Sequence, residues 1–173
     1  PPDERPGKEA RKVKTFVIGD LHGRRTQLRR LLEMIPRDPA RDTVVLVGDL
    51  VDRGAEIPGA VEEVIALRRE HAERVICLRG NHEQMLLDFV DGGNTLWLHA
   101  AVGSERTIEQ YIGERPRVRS ERDLQDLHRR FTASLPRAQD DEAAALTAFA
   151  REQGGGIDDR HHLAADQSDT EHV

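Results

Sequence analysis

Three short stretches place side chains that can bind a metal or move a proton directly after apolar runs. Thr15-Phe16-Val17-Ile18 leads into Gly19-Asp20-Leu21-His22-Gly23. Val44-Val45-Leu46-Val47 leads into Gly48-Asp49-Leu50-Val51-Asp52-Arg53-Gly54, and Val75-Ile76-Cys77-Leu78 into Arg79-Gly80-Asn81-His82-Glu83. Carboxylate oxygen and imidazole nitrogen both suit a hard or borderline divalent ion. Asp20 and His22, two residues apart after a strand, can reach one ion together. Asp49 has two oxygens and can bridge two ions, and Asn81 offers a neutral carbonyl oxygen. The glycines beside each ligand let the backbone turn sharply toward the site. Each piece alone is also what an ordinary strand-end turn looks like. The three together, in this order and each after an apolar run, favour a metal site.

The elements that must hold these groups follow from periodicity. Val13 to Ile18, Thr43 to Val47 and Val75 to Leu78 read as strands. The second is a continuous β-branched run of the kind buried on both faces of a parallel sheet. Between them, Thr26 to Ile35 carries Leu28, Leu31, Leu32 and Ile35 at helical spacing, and Pro36 and Pro39 stop it. Pro58 opens a second helix with Val61, Val64, Ile65 and Leu67. His82 to Val90 reads as a third, with Met85, Leu86 and Phe89 on one side and Gly92-Gly93-Asn94 ending it. The succession βαβαβ implies an α/β fold on a parallel sheet with flanking helices. In such sheets ligands bind beyond the carboxyl ends of the strands. Asp20, His22, Asp49, Asn81 and His82 all fall there, so the layout predicts that they converge. Glu105 to Ile112 and Glu121 to Leu135 read as further helices, the latter with Leu124, Leu127 and Phe131.

Gly19-Asp20-x-His22-Gly23, Gly48-Asp49-x-Val51-Asp52-Arg53-Gly54 and Gly80-Asn81-His82-Glu83 resemble the signature set of the calcineurin-like metallophosphoesterases. Within these they resemble the phosphoprotein phosphatase branch, which includes Ser/Thr protein phosphatases and symmetrical diadenosine tetraphosphatases. The resemblance covers roughly residues 14–135. It implies the first half of that family's α/β sandwich and a site for two divalent ions, commonly Mn²⁺ or Fe/Mn. The implied reaction is phosphoester hydrolysis by metal-bound hydroxide. Asp20 and His22 would bind the first ion, Asp49 would bridge, and Asn81 would bind the second. His82 would be the general acid, oriented by Asp52, and Arg53 would clamp the phosphate. Arg79 more simply holds its loop, and Glu83 suits a helix first turn. The implied partner is a phosphorylated protein or a small phosphoester such as a dinucleoside polyphosphate or nucleotide.

The family's second half brings two more histidines for the second metal and another phosphate-binding arginine, which the sequence does not offer at matching places. Leu96-Trp97-Leu98-His99-Ala100-Ala101 imitates one of these segments, but it follows Asn81 too closely. His128 lies on a charged helix and is expected to be solvated, and His161, His162 and His172 lie in a polar tail. Phe131-Thr132-Ala133-Ser134-Leu135-Pro136 resembles a segment that leads into the family's next strand, yet an Ala-rich stretch follows. The expected organisation is a polar lead-in at 1–12, the metallophosphoesterase half-domain at 13–136, a helical extension at 137–156 and a disordered tail at 157–173. A truncation or frameshift near Pro136 would account for the change. It would leave either a hydrolase or a half-domain that binds one metal or a phosphate with little turnover. The sheet surface left open would be exposed, or hidden by dimerisation.

Composition narrows the class further. The 173 residues carry a net charge of −6 from interspersed signs, with 34% charged residues and 3% aromatics. That balance argues against a nucleic-acid binder relying on a basic face and calls for a mostly aliphatic core. The lone cysteine, Cys77, sits in an apolar run, so it reads as a buried strand residue in a reducing, cytoplasmic compartment. No segment approaches the roughly 18 apolar residues of a membrane helix, and the polar start at Pro1, not a methionine, suggests processing or trimming.

Overall fold

A computed structural model describes residues 12–135. Residues 1–11 of the lead-in expected at 1–12, the helical extension and the tail lie outside the described residues. The elements run β1 (Thr15–Ile18), α1 (Arg25–Met34), β2 (Thr43–Leu46), α2 (Ile57–Glu70), β3 (Val75–Cys77), α3 (Asn81–Gly92), a 3-10 turn (Thr95–Leu98), α4 (Glu105–Ile112) and α5 (Glu121–Ser134). The strands form one parallel sheet in the order β1-β2-β3. Its register sets Ile18 beside Leu46 and Leu46 beside Cys77. All three strands therefore end level, and the loops carrying Asp20, Asp49 and Asn81 leave the sheet side by side.

Alternation along the strands divides the sheet into two unlike faces. Val44, Leu46, Val75 and Cys77 are buried against the helices, with Leu46 0% exposed. α2 supplies Ile57, Ala60, Val61, Val64, Ile65 and Leu67 to the same core, with Pro58 in its first turn. On the opposite face Val17, Val45 and Ile76 form one row across the sheet. There Val17 is 66% and Ile76 46% exposed. The reading of β2 as buried on both faces is thus corrected. Its β-branched run suits a two-sided core, but the described residues supply only one covering layer. This matches the alternative expectation of an exposed apolar sheet surface. The stripe on α1 is narrower than its spacing suggests, since Leu28 is buried while Leu31 is exposed.

The helices beyond the sheet are joined by aromatic rings. Phe89 of α3 stands 5.4 Å from Trp97, which stands 5.2 Å from Phe131 of α5, and Tyr111 of α4 meets Phe131 edge-on at 6.3 Å. Such pairs add to the area they bury. His128 belongs to this knot. It lies edge-on to Phe89 at 5.2 Å, with Nε2 3.0 Å from the Val90 carbonyl oxygen. The expectation that it is solvated fails because its side of α5 faces α3. Gly93 ends α3 in the left-handed conformation at φ 68°, where a residue without Cβ is favoured.

The two faces predict different mutational costs. Leu46→Ala should cost about 2–5 kcal/mol, the range for a buried leucine. Ile76→Ala, half-exposed on the open face, should cost about 1 kcal/mol or less. Urea denaturation of the two variants measures this, and equal losses would contradict an open face.

Candidate metal centre

The three loops beyond the strand ends are bonded to one another before any side chain takes a functional role. Leu21 and His22 both donate backbone N–H to the Asp49 carbonyl, at 3.0 and 2.7 Å, and Gly23 donates to Leu50 at 2.7 Å. Glu83, in the first turn of α3, ties the second loop to the third. Its Oε2 accepts the N–H groups of Asp49 and Gly80 at 2.7 and 3.0 Å. Its Oε1 accepts those of Leu50 and Val51 at 2.8 and 3.2 Å. Burial pushes this carboxyl above its usual range, and the four amides pull against that shift.

The resulting backbone is unusual. His22, Asp49, Asp52 and Arg53 all have positive φ, at 42°, 51°, 69° and 65°. Left-handed backbone at such residues costs roughly 1–3 kcal/mol each and gathers at functional sites. Two glycines make room for it. A Cβ on Gly80 would lie 2.0 Å from Asp49 Oδ1, and one on Gly48, at φ 99°, would lie 2.2 Å from the Gly80 nitrogen. The second and third loops touch backbone to backbone only because both positions lack side chains.

The functional side chains then converge. His22, Asp49 and His82 are all buried and offer ligand atoms within 4.8 Å of one another. His22 Nδ1 lies 2.7 Å from the Val51 carbonyl oxygen. That bond fixes the tautomer and leaves Nε2 as the ligand atom, 4.0 Å from Asp20 Oδ2. A carbonyl bonded to the other ring nitrogen in this way orients metal-binding histidines generally. Asp49 Oδ1 accepts the His82 backbone N–H at 3.0 Å. Asn81 is exposed at the first position of α3. The rings of His22 and His82 meet edge-on at 4.7 Å.

His82 has a second set of partners. Its Nδ1 lies 2.7 Å from Asp52 Oδ2. Arg53 Nη2 stands 3.4 Å from Nε2 on the other side of the ring. The bond to Asp52 raises the pKa of His82. Burial works against this, the charges of Asp52 and Asp49 add to it, and Arg53 opposes it. Arg79 bonds Gln84 at 3.0 Å, as its reading as a loop holder expects. Burial drives the Cys77 thiol up to about 12, which suits an inert strand residue.

The loops bring Asp20, His22, Asp49, Asp52, Arg53, Asn81 and His82 to one end of the sheet. Glu83 does more than its place in a helix first turn implies, and Trp97, Thr107 and Gln110 join the site without belonging to any of its motifs. Glu83 carried a visible signal, a glutamate three residues after Gly80, which is the capping-box spacing. His99 is not part of the cluster among the described residues. Its segment is a 3-10 turn instead of a strand, and its Nδ1 accepts the Ala101 N–H at 3.3 Å.

The model of the calcineurin-like phosphoesterase family matches residues 13–151. The chain belongs to the calcineurin-like phosphoesterase family. As a member of it, the chain is 43% identical over 84 residues to serine/threonine-protein phosphatase 1 of Salmonella typhimurium, a match covering 48% of this chain and 36% of that protein. It is also 43% identical over 77 residues to the symmetrical bis(5'-nucleosyl)-tetraphosphatase of Thioalkalivibrio sulfidiphilus, covering 44% and 27%. The matched stretches thus span about a third of these relatives. A solved serine/threonine phosphatase from Saccharomyces cerevisiae aligns with 72% of this chain and 36% of its own, at 22% identity and a TM-score of 0.39. For this calcineurin-like phosphoesterase, the imidazoles of His22 and His82 and the carboxylate of Asp49, with Asp20 4.0 Å from His22 Nε2, form a donor set that fits a divalent cation.

Two substitutions test the construction. Glu83→Gln replaces an acceptor of four N–H groups with an amide that must turn its own N–H₂ toward two of them. It should cost roughly 2–4 kcal/mol by denaturation. Gly80→Ala should displace Asp49 and weaken Mn²⁺ binding at least about tenfold by calorimetry. Unchanged affinity would show that Asp49 is not held through Gly80.

Proposed function

We propose that the chain carries the metal-holding and proton-donating part of a divalent-metal-dependent phosphoester hydrolase, of the Ser/Thr protein phosphatase type. The observation that carries this reading is the His22–Asp49–His82 cluster, with Asp52 2.7 Å from His82 Nδ1. Asp20 and His22 would hold a first ion, Asp49 would bridge, and Asn81 would hold a second, with Mn²⁺ or an Fe/Mn pair as the cations. Bound there, such ions supply Lewis acidity toward phosphoryl oxygens and lower the pKa of a water between them.

The protein groups account for the rest. The Arg53 guanidinium grips the phosphoryl oxygens, to which its planar fork is matched. As a water oxygen bonds to phosphorus and gives up a proton to solvent, the ester P–O bond breaks and the leaving oxygen takes the proton from His82 Nε2. Asp52 keeps that imidazole charged and aimed. A phosphate beside Arg53 and His82 offsets the charge of the guanidinium, which stands 3.4 Å from His82 Nε2. We favour a phosphorylated protein as substrate, with a dinucleoside tetraphosphate or nucleotide second. Similarity to a serine/threonine-protein phosphatase and to a symmetrical bis(5'-nucleosyl)-tetraphosphatase supports these two substrate classes. Cys77, the one cysteine of the chain, is buried, which supports a reducing cytoplasmic setting.

A second reading is a half-domain that holds one metal or a phosphate with little turnover. The position of His99 outside the cluster favours it. p-Nitrophenyl phosphate hydrolysis with and without Mn²⁺, on the chain and its Asp49→Asn variant, separates the two. The hydrolase reading expects Mn²⁺-dependent turnover that Asp49→Asn lowers at least about a hundredfold. Metal content near one ion per chain with no such turnover supports the half-domain.

The acid role also has a pH signature. His82 works protonated, and its pKa is raised from 6.5 chiefly by Asp52. Turnover should therefore fall as pH rises through that raised value. Asp52→Asn should move the alkaline limb toward lower pH. A limb that stays in place would remove His82 from the acid role.

A further inference from the structure

Asp52 is fully buried, and its carboxylate is reached by three side chains from elsewhere in the chain. His82 Nδ1 lies 2.7 Å and Trp97 Nε1 3.0 Å from Oδ2. Thr107 Oγ1 donates to Oδ1 at 2.5 Å, and the same hydroxyl oxygen accepts the Asp52 backbone N–H at 3.0 Å. Thr107 therefore holds both the backbone and the side chain of one residue, at a place where the backbone is left-handed with φ 69°. The segment around Thr107 grips the rest of that loop. The Gly103 carbonyl accepts Arg53 N–H at 3.1 Å and the Val102 carbonyl accepts Arg53 Nε–H at 3.3 Å. Gln110 accepts Ile57 N–H at 2.8 Å and donates to the Gly54 carbonyl at 2.9 Å.

A carboxylate bonded only to His82 could turn about its broad terminal torsion and carry the imidazole with it. Donors on both oxygens fix the plane. A buried carboxylate is costly to keep, and an apolar side chain would fill this space for structural purposes alone. The observed alternative uses an indole N–H and a hydroxyl from α4 and the turn before it, each directed at the one group that orients His82.

We propose that Thr107 and Trp97 are positioning residues of this site, locking the Asp52 carboxylate and through it the ring of His82 in the direction that delivers a proton to the leaving oxygen. This rests on the acid role of His82 proposed above. It assigns α4 to the site, although α4 contributes no group that would touch substrate.

The test uses Thr107→Val, which keeps the shape and removes the hydroxyl, and Thr107→Ser, which keeps the hydroxyl. Turnover is compared on phenyl phosphate, whose leaving group needs a proton, and on p-nitrophenyl phosphate, whose leaving group hardly does. Thr107→Val should lower kcat on phenyl phosphate roughly tenfold, with under about threefold loss on p-nitrophenyl phosphate and little change in KM. Thr107→Ser should resemble the unaltered protein. A second readout needs no turnover. The chain has one tryptophan, so its indole N–H gives a single amide-type resonance in the nitrogen-15-labelled protein. Thr107→Val should shift that resonance toward its position in Asp52→Asn, and Thr107→Ser should leave it in place. If the unaltered protein has no turnover, the hydrolase reading fails and the indole resonance still decides the positioning. Should Thr107→Val not fold, Thr107→Ala replaces it with the same expected direction. An unmoved resonance together with an unmoved substrate ratio overturns the proposal. So does Thr107→Ser behaving like Thr107→Val, since packing of the methyl group would then be the cause.

Discussion

The carboxylate of Glu83 is the constraint on which the rest of the site depends. Two oxygens accept four backbone N–H groups, three from the loop after β2 and one from the turn before α3. Those amides belong to backbone that cannot pair in the sheet, because β2 has already ended at Leu46. Left without an acceptor, buried N–H groups cost about 1–3 kcal/mol each. Glu83 meets all of them at once from a helix N-terminus, where negative charge is favoured. Without that one acceptor, the start of the loop, at Asp49, Leu50 and Val51, would lose the bonds that hold it in place.

The strain at His22, Asp49, Asp52 and Arg53 is then held from two sides. Glu83 anchors the start of the loop against α3. Thr107 and Gln110 anchor its end against α4. The first loop rides on the second through the Asp49 and Leu50 carbonyls. Each ligand is therefore placed by backbone geometry that a neighbouring element enforces, and little is left to side-chain rotamer choice. The aromatic knot of Phe89, Trp97 and Phe131 contributes indirectly, since it fixes the turn from which Trp97 reaches Asp52.

Much of this was legible in the sequence. Three apolar runs, each followed by glycine and a ligand-type residue, implied the parallel sheet and the meeting of His22, Asp49 and His82 at its end. Strand and helix bounds moved by only a residue or two. What the sequence could not show was anything depending on which surface another element covers. The β-branched run of β2 reads the same whether one face or two are buried. His128 looks solvated among arginines until α3 is packed against it. Thr107 and Trp97 carry no local signal of their attachment to Asp52, because contacts across 55 and 45 residues leave no periodic trace. Glu83 showed its capping-box spacing but not the three amides it takes from another loop.

The arrangement also sorts charge by side. Asp20, Asp49 and the lone pair of His22 Nε2 lie toward one end of the cluster, and this end suits a cation. Arg53 and the imidazole of His82 lie at the other, and this end suits an anion. His82 belongs to both. Its backbone N–H is bound to Asp49 and its ring to Asp52. One residue thus links the groups suited to a cation with those suited to an anion. Its ring cannot turn without breaking the bond to Asp52, while its backbone is held at Asp49. That double attachment gives a physical reason for the histidine to follow directly after Asn81: a residue later, its backbone N–H would no longer face Asp49 while its ring faced Asp52.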